Sequence, residues 1–475
     1  MNRRMNLRII GLALIVEAAL LLLPVFVGLL YGERPVAFLI TAALAGLTGF
    51  VLTRLKTKRE TIYARDGFVA VSLVWIVFSA FGAIPFVLSG DIPFYVDAFF
   101  ETMSGFTTTG ASILNNIEGL SRAGLFWRSF THWIGGMGVL VFMMAVLPLS
   151  GEHSMHIMRA EVPGPVVGKL VPRAGDTAKI LYLLYAGLTV AETIFLLFGG
   201  LNLYDALLHA FGTAGTGGFS TRNASIGAFQ SPYVEVVVSS FLVLFAMNFN
   251  LYYFVVTGKI KTALQSEELH WYLILIVIAT GVITAGITKL YGAFGTALRY
   301  AFFYVMSIMS TAGFCTVDYT TWPQYTHVII VILMLIGGCA GSTGGGLKLS
   351  RVVLLLKTAA ADVRRTVSPR RVKRVRMDGR CVPDNVLTTV GTFFSLYLFL
   401  LLLCTLVVSF DGFDFTTSFT AALSCISNVG PGLSKVGPAY NFANFSVLSK
   451  IVMSATMLAG RLEIYPLLIL LMPKK

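Results

Sequence analysis

Charged residues are scarce in this chain. Only 12% of its 475 residues are Asp, Glu, Lys or Arg, whereas 56% are hydrophobic, and the mean hydropathy is +0.79. A soluble protein of this length carries about twice that fraction of charge, so the composition excludes an ordinary soluble domain. The five cysteines are odd in number, scattered and mostly inside apolar runs, which excludes a disulfide framework and the ligand spacing of a zinc site.

A complete phosphate-binding loop is also lacking. The segment GGCAGSTGGGLKLS (337–350) has two glycines at P-loop spacing, but Leu347 stands between the second of them and Lys348. A P-loop needs lysine directly after that glycine, on a turn between a strand and a helix. The segment instead follows VIIVILMLI, an apolar run fit for lipid, so we predict that it interrupts a membrane helix.

Signals for catalysis and for metal binding are equally sparse. His153 and His156 in HSMH are spaced for one face of a helix, but they lie in a loop without carboxylate or cysteine ligands, so we interpret them as structural. We expect no enzyme activity, no catalytic residue, no transition-metal site and no cofactor bound by this chain.

Long apolar runs are what the chain has in abundance. Runs near the ~20 residues that cross a bilayer occur at 9–30, 36–53, 67–88, 126–149, 180–200, 233–256, 271–290, 327–356, 388–410 and 443–472. The first run is too long for the apolar part of a signal peptide, and a second follows at once, so we interpret it as a membrane helix. The pattern predicts an all-α polytopic membrane protein.

Basic residues are concentrated in alternate connections. They precede the first run, follow the second in RLKTKRETIYAR (54–65), recur in GKIK (258–261) and culminate in ten Lys or Arg between Arg351 and Arg380. The positive-inside rule then places both termini in the cytoplasm. A nucleic-acid partner is disfavoured at this position, and the basic stretch fits a docking surface for a cytoplasmic partner or for anionic membrane lipid.

Four segments repeat one pattern in outer connections: a short half-apolar stretch, then small and hydroxyl residues, then a glycine. They are DAFFETMSGFTTTG (97–110), DALLHAFGTAGTGG (205–218), YAFFYVMSIMSTAG (300–313) and TSFTAALSCISNVG (417–430). Ten helical residues reach only ~15 Å, about half a bilayer, so each segment must enter the membrane and turn back.

Three of the four segments end in T-x-G, which is the chemistry of a cation filter built from backbone carbonyls. Glycine permits the backbone angles that aim successive carbonyls one way, and the negative ends of four short helices favour a cation. The predicted potassium-binding filter residues are Thr108, Thr109, Gly110, Thr216, Gly217, Gly218, Thr311, Ala312, Gly313, Asn428, Val429 and Gly430. No segment has a full T-V-G-Y-G sequence, so we expect one shared rung and modest discrimination against sodium.

The glycine-rich segment is predicted to be a gate. Six glycines oppose a continuous helix by about 1 kcal/mol each relative to alanine, and the backbone freed by a break must face protein or a water-filled cavity. The cavity under the filter satisfies this. The predicted gating residues of this loop are Gly337, Gly338, Gly341, Ser342, Thr343, Gly344, Gly345, Gly346 and Lys348. The alternative is a kinked helix packed through small residues.

Arg461, deep inside the final run, is also predicted to act at the gate. An unpaired charge there costs ~2.5–3.5 kcal/mol, so it needs a partner. Glu463 is too far round a helix to pair with it readily, and the carbonyls of the loop, or its Ser342 and Thr343 hydroxyls, are better candidates. The alternative is an arginine that merely ties helices together.

These patterns divide the chain into an N-terminal hairpin, four pore units and a basic linker. The predicted bounds are 1–66 for the hairpin, 67–151, 176–258, 269–357 and 385–475 for the four units, 337–348 for the gating loop, and 358–384 for the linker. The units run parallel, which favours one central pore over a proton- or sodium-coupled alternating-access symporter, a class that commonly has inverted repeats.

The chain resembles the Trk/Ktr/HKT superfamily of potassium transporters, and in particular its TrkH branch, because two additional spans precede the first unit. The closest local matches are SGFTTTGAS (104–112), HWIGGMG (132–138), GTAGTGGFST (212–221), GGCAGSTGGGLK (337–348) and AGRLEIYP (459–466). The resemblance implies potassium uptake across a bacterial inner membrane, an intramembrane gating loop at the glycine-rich segment, and a homodimer. It also implies a peripheral TrkA-like ring on the cytoplasmic face, with ATP/ADP or NAD bound to that partner.

Overall fold

The computed structural model describes residues 3–55, 64–138, 174–368 and 374–471, and this part of the chain is almost wholly helical. Six helical segments in these ranges are long and apolar enough to cross a membrane, and a seventh qualifies if one sharply bent pair counts as a single span. The predicted all-α, multi-pass membrane protein is confirmed.

An N-terminal hairpin comes first. It consists of α1 (Arg3–Leu20), which continues into α2 (Leu22–Leu30), and of α3 (Val36–Thr53). A Cβ built on Gly11 would lie 2.8 Å from the carbonyl oxygen of Gly49, so the two backbones touch as small residues allow them to do in membranes. The hairpin packs against the helix that follows it, Ala64–Ser89.

Four units of the same construction follow, each with an outer helix, a short pore helix and an inner helix. The outer helices are α4 (Ala64–Ser89), α7 (Ala174–Phe198), α12 (Glu267–Tyr291) and α16 (Asp384–Ser409). The pore helices are α5 (Tyr95–Phe106), α8 (Leu203–Ala214), α13 (Phe294–Met309) and α17 (Phe415–Ser427). The inner helices are α6 (Arg122–Gly136), α9 (Pro232–Phe245) with α10 (Phe249–Val256), α14 (Gln324–Ile336) with α15 (Leu349–Val367), and α18 (Val447–Arg461) with α19 (Tyr465–Leu471). A short helix, α11 (Ile260–Leu264), links units 2 and 3.

The pore helices begin where polar side chains cap them and end inside the protein. Asn202 Oδ1 accepts a hydrogen bond of 2.8 Å from the Asp205 amide at the start of α8, and Asp414 Oδ2 accepts one of 3.1 Å from the Thr417 amide at the start of α17. The Thr417 hydroxyl also donates to Asp414 and lowers the pKa of that carboxyl below its ordinary value. With 12 to 16 residues each, these helices are too short to cross a bilayer.

The inner helices of units 2, 3 and 4 are interrupted, and that of unit 1 is described only as far as Gly138. Helix α6 ends at Gly136, α9 and α10 meet at 86°, twelve residues separate α14 from α15, and α18 stops at Arg461 before α19 begins. The sequence predicts a break only in 327–356 and continuous helices at 233–256 and 443–472, so this expectation was wrong for units 2 and 4. The second half of 126–149, together with His153 and His156, lies outside the described residues.

The helices stop because their backbone groups are bonded elsewhere. The Ala246 carbonyl after α9 accepts from the Cys339 amide of unit 3 at 3.0 Å, and the Gly135 carbonyl near the end of α6 accepts from Arg461 at 2.5 Å. Long-range partners of this kind have no signal in hydropathy, which is why apolar runs alone did not reveal the breaks.

One short β-hairpin lies in the predicted basic linker. Strands β1 (Arg376–Met377) and β2 (Arg380–Cys381) pair antiparallel around Asp378 and Gly379, which have φ values of +50° and +74°. Positive φ at both central residues is typical of a tight two-residue hairpin turn. The hairpin is anchored to the start of α12, because the Glu267 amide donates to Asp378 Oδ1 at 2.7 Å.

Candidate ion filter and gate

Each pore helix is followed by a segment whose backbone alternates in handedness. The first and third residues of each predicted filter triplet have positive φ, from +53° to +95°, and the residue between them does not. The first residue is not glycine in any unit, and such residues rarely adopt positive φ. The pairs are Thr108 and Gly110, Thr216 and Gly218, Thr311 and Gly313, and Asn428 and Gly430.

The four segments meet in one closed ring. The glycine of each unit faces the carbonyl oxygen of the middle filter residue of the next unit, so closely that any side chain on the glycine would collide with that oxygen. The contacts run from Gly110 to Gly217, from Gly218 to Ala312, from Gly313 to Val429 and from Gly430 back to Thr109. All twelve predicted filter residues therefore surround one axis, in the order of the units along the chain.

This ring has the chemistry of a site for a dehydrated cation. Four main-chain carbonyls lie in the closed cycle, and carbonyl oxygens can replace the water around an alkali ion. The C-terminal ends of the four pore helices point at the same place, and their partial negative charge favours a cation there.

Asn428 replaces the threonine of the other units and links two filter segments. Its Nδ2 donates to Thr109 Oγ1 and to the Met457 carbonyl, both at 2.9 Å. A threonine has no second donor with which to make both bonds. The asparagine therefore ties the unit 4 segment to unit 1 and to its own inner helix.

A buried ion pair supports the filter from behind. Arg128 Nε lies 2.6 Å from Glu101 Oε1, and Arg128 also donates to the Ser220 carbonyl of unit 2 at 3.0 Å. Glu101 in turn accepts from the Ser112 hydroxyl at 3.0 Å and from the Ile113 amide at 2.9 Å, just past the filter of unit 1. The pair thus fastens the filter segments of units 1 and 2 together.

The sequence prediction missed this pair, although a signal for it exists. Glu101 and Arg128 are single charges inside apolar stretches, in AFFETMSGF and LFWRSFTHW. Charged residues at such depth need partners, so their occurrence in neighbouring helices of one unit was the available clue.

The other units use different polar groups for the same purpose. In unit 2 the Thr221 hydroxyl donates to Asp205 at 2.7 Å, and His209 Nε2 lies 2.8 Å from the Ser220 hydroxyl oxygen. In unit 3 the Tyr304 hydroxyl accepts from the Thr316 amide at 3.0 Å. The side-chain contacts behind the filter segments therefore differ between the units, although the backbone contacts of the ring are alike.

The glycine-rich segment lies directly under the filter, on the side of its threonines. The Gly345 amide donates to Thr311 Oγ1 at 2.6 Å. A Cβ on Gly344 would lie 2.9 Å from the Ser310 carbonyl, and one on Gly345 would collide with the Ser427 carbonyl. Only glycine fits so close to these carbonyls, so the loop packs against the ends of the pore helices of units 3 and 4.

The loop is held against the break of the unit 2 inner helix. The Cys339 amide donates to the Ala246 carbonyl at 3.0 Å, and the Phe249 amide donates to the Gly341 carbonyl at 3.0 Å. The Thr343 hydroxyl donates to the Phe245 carbonyl at 3.1 Å. These bonds satisfy main-chain groups that a continuous helix would have satisfied within itself.

Ser342 and Lys348 bond within the loop itself. The Ser342 hydroxyl donates to the Cys339 carbonyl at 2.6 Å, and the buried Lys348 ammonium donates to the Gly344 carbonyl. The Lys348 side chain therefore lies inside the loop, below the ring.

Arg461 joins the loop, the filter and the end of α6. Its guanidinium donates to the Thr343 carbonyl at 2.7 Å and to Thr108 Oγ1 at 3.2 Å. It also donates to the Gly135 and Gly136 carbonyls, both at 2.5 Å. Arg461 is thus placed against the predicted loop, through a main-chain carbonyl of Thr343 rather than through a hydroxyl.

Glu463 pairs with a different arginine. Its carboxylate lies 2.5 Å from Arg351 of α15, and the Arg351 guanidinium stacks 4.1 Å above the Phe393 ring of α16. The C-terminal end of the loop is thereby attached to unit 4.

Comparison with known proteins identifies relatives along the whole chain. A family model described as "TrkH: Cation transport protein" matches residues 36–474. The "Trk system potassium uptake protein TrkH" of Salmonella typhimurium is 38% identical over 482 residues, covering 100% of this chain and 99% of the relative. The protein of the same name from Escherichia coli is 37% identical with the same coverage.

A solved structure is similar as well. The crystal structure of the potassium transporter TrkH from Vibrio parahaemolyticus matches with a TM-score of 0.89 at 35% sequence identity, covering 100% of this chain and 99% of that one.

Serine in place of Gly110 or Gly313 is expected to abolish potassium selectivity. Both glycines have φ near +77° and would bring a side chain onto a carbonyl oxygen of the ring. The measurement is the ratio of potassium to sodium flux in proteoliposomes. Gly292→Ser is the matched control, because Gly292 has a similar φ of +71° but faces open space. Unchanged flux ratios in both filter variants would contradict this assignment of the ring.

Proposed function

The chain belongs to the TrkH family of cation transport proteins, and we propose that it takes up potassium through the carbonyl ring of its four filter segments. The observation that carries the proposal is the closed cycle of glycine–carbonyl contacts, which gathers the main chains of the four filter segments around one centre. Relatives that are 37–38% identical over the whole chain are named potassium uptake proteins. The proposed location is a bacterial inner membrane, with both termini in the cytoplasm, in line with the distribution of basic residues.

The glycine-rich loop is the proposed gate, and the described conformation is its closed form. Support comes from the contact of Gly345 with Thr311, from the Arg461 guanidinium bonded to the loop, and from the basic Lys348 side chain within it. Cations under a cation filter raise the barrier to potassium. Opening would require the loop to leave Arg461.

A nucleotide-binding protein on the cytoplasmic face is the proposed regulator of the gate. Helix α15 leads from the loop into the basic linker, and it ends with Arg364 and Arg365 in its last turn. Its final turns also expose Val363 and Val367. A mixed basic and apolar surface, continuous with the gate helix, suits a protein partner better than lipid headgroups alone.

Reconstituted protein is expected to carry potassium down its gradient, because a ring of carbonyls lets the ion pass by passive diffusion. The measurement is ion influx into liposomes of defined composition, with and without a pH or sodium gradient. Influx that depends on the proton or sodium gradient would favour a coupled symporter instead. Absence of selective potassium flux under every condition would refute the proposed function.

Arg461→Gln is expected to raise basal potassium flux by at least about tenfold, the factor that corresponds to ~1.4 kcal/mol. The change removes charge-assisted bonds from the loop and a positive barrier below the filter. Arg299→Gln is the control, because Arg299 pairs with Glu235 at 2.9 Å, away from the loop. A folded Arg461→Gln protein with normal or reduced conductance would show that Arg461 only ties helices together.

Flux is expected to respond to ATP or ADP, or to NAD, only when the cytoplasmic partner is present. A ligand that favours the open form by ~3 kcal/mol changes the ratio of open to closed molecules by about a hundredfold. The measurement compares proteoliposomes containing the chain alone with those containing the chain and its co-purified partner. Full, nucleotide-insensitive flux from the chain alone would disprove the need for a regulator.

A further inference from the structure

A single buried carboxylate holds both ends of the glycine-rich loop. Oε1 of Glu268, in the first turn of α12, accepts from the Ala340 amide at 2.8 Å and from the Ser350 amide at 3.1 Å. Ala340 lies in the first part of the loop, and Ser350 is the second residue of α15. Glu268 therefore pins the loop at its two ends and also places a negative charge at the start of α15, where the helix dipole favours it.

The neighbouring residue, Glu267, is bonded to the segment that emerges from the membrane. Its carboxylate pairs with the Lys357 ammonium of α15, and that ammonium also donates to the Arg376 carbonyl of the β-hairpin at 2.8 Å. The Glu267 amide donates to Asp378 in the turn of the same hairpin at 2.7 Å. The hairpin, α15 and α12 are thus joined at one point.

We propose that Glu267 and Glu268 form a two-carboxylate latch, in which Glu268 keeps the loop closed and Glu267 makes that hold depend on the position of the hairpin. The two residues are consecutive in one helix, so a pull on the hairpin that moves the start of α12 also moves Glu268. Glu268 is a positioning residue, since it acts on ions only through the loop. The inference rests on the proposed function only for its effect on flux, because the movement of the loop can be measured by itself.

The geometry explains why release of Glu268 would free the whole loop. Lys348, just before Ser350, has a φ of +74°, an unusual conformation that the surrounding bonds must maintain. The Leu349 amide bonds to the Gly338 carbonyl at 3.0 Å, which ties the two ends of the loop to each other. Loss of the one carboxylate that spans both ends would let them leave the unit 2 break together.

Cys339 offers a direct reporter of loop opening. It lies beside Ala340 and is only 1% exposed, whereas Cys381 in the hairpin is exposed and serves as an internal reference. Cys404 and Cys425 are buried in unit 4 and report general loosening of the protein. The experiment measures modification of each cysteine by N-ethylmaleimide in purified full-length protein, read by mass spectrometry of the separate peptides.

Glu268→Ala is expected to raise the rate of Cys339 modification, relative to Cys381, by about tenfold or more, because hydrogen bonds to a charged group are among the strong ones. Glu268→Gln also removes the charge near the Cys339 thiol but keeps one side-chain carbonyl, so it should give a smaller rise, and the difference between the two variants measures the lost hydrogen bonds. Glu17→Gln is the matched control, since Glu17 is a buried carboxylate on α1 that lies beside Gly82 of α4. A wild-type rate in Glu268→Ala, or an equal rise at Cys404 and Cys425, overturns the latch.

Lys357→Met tests the second half of the latch. It is expected to raise Cys339 modification in the same direction, because it removes the ammonium that joins α15 and the Arg376 carbonyl of the hairpin to the Glu267 carboxylate, leaving only the bond from the Glu267 amide to Asp378. A wild-type rate in this variant, alongside a raised rate in Glu268→Ala, overturns the role of the hairpin.

Flux measured on the same variants separates this inference from the proposed function. The expected result is a higher basal potassium flux in Glu268→Ala with an unchanged ratio of potassium to sodium, because the filter is untouched. Faster Cys339 modification in Glu268→Ala, without potassium flux in any variant, supports the latch and contradicts the proposed function. Normal potassium flux in the wild type, together with unchanged Cys339 modification in Glu268→Ala, supports the proposed function and contradicts the latch.

Discussion

Direct packing of backbone on backbone around one axis is the constraint on which the rest of the structure depends. Four glycines face four carbonyl oxygens at distances that leave no room for a side chain. The glycines supply no side chains that could hold the segments in place. The restraint comes from the layer behind them, above all from the Glu101–Arg128 pair and from Asn428. A buried ion pair of this kind stabilises the protein only if both partners make further hydrogen bonds. The Ser112 hydroxyl, the Ile113 amide and the Ser220 carbonyl supply them.

The membrane environment shapes the layer below the filter segments. Breaking an inner helix frees amides and carbonyls, and in a membrane these must find protein partners. The breaks of units 2 and 3 satisfy each other, as in the bond from Cys339 to Ala246, and Arg461 serves the end of α6 and the loop at once. The breaks of units 2 and 3, the end of α6 and the end of α18 are thus one connected structure rather than separate kinks.

Filter and loop are held by interactions of different strength. The filter is enclosed by pore helices and a buried ion pair, whereas the loop depends on single main-chain bonds, a few charged contacts and six glycines that have no side chains to pack. A segment of this kind can exchange between two positions while its surroundings stay intact. The difference leaves the glycine-rich loop freer to move than the ring of main-chain segments beside it.

The sequence alone determined the membrane helices, the four parallel units, the position of the filter segments and the interruption at Gly337–Gly346. These follow from local signals: apolar length, short half-apolar stretches, and glycine where no helix forms readily. Only the tertiary structure decided that the inner helices of units 2 and 4 also break, that Glu101 meets Arg128, and that Arg461 bonds to a Thr343 carbonyl. Each of those facts depends on a partner that is distant in the sequence. Many of these partners are main-chain carbonyls, which every residue has, so the sequence does not indicate which carbonyl accepts a given bond.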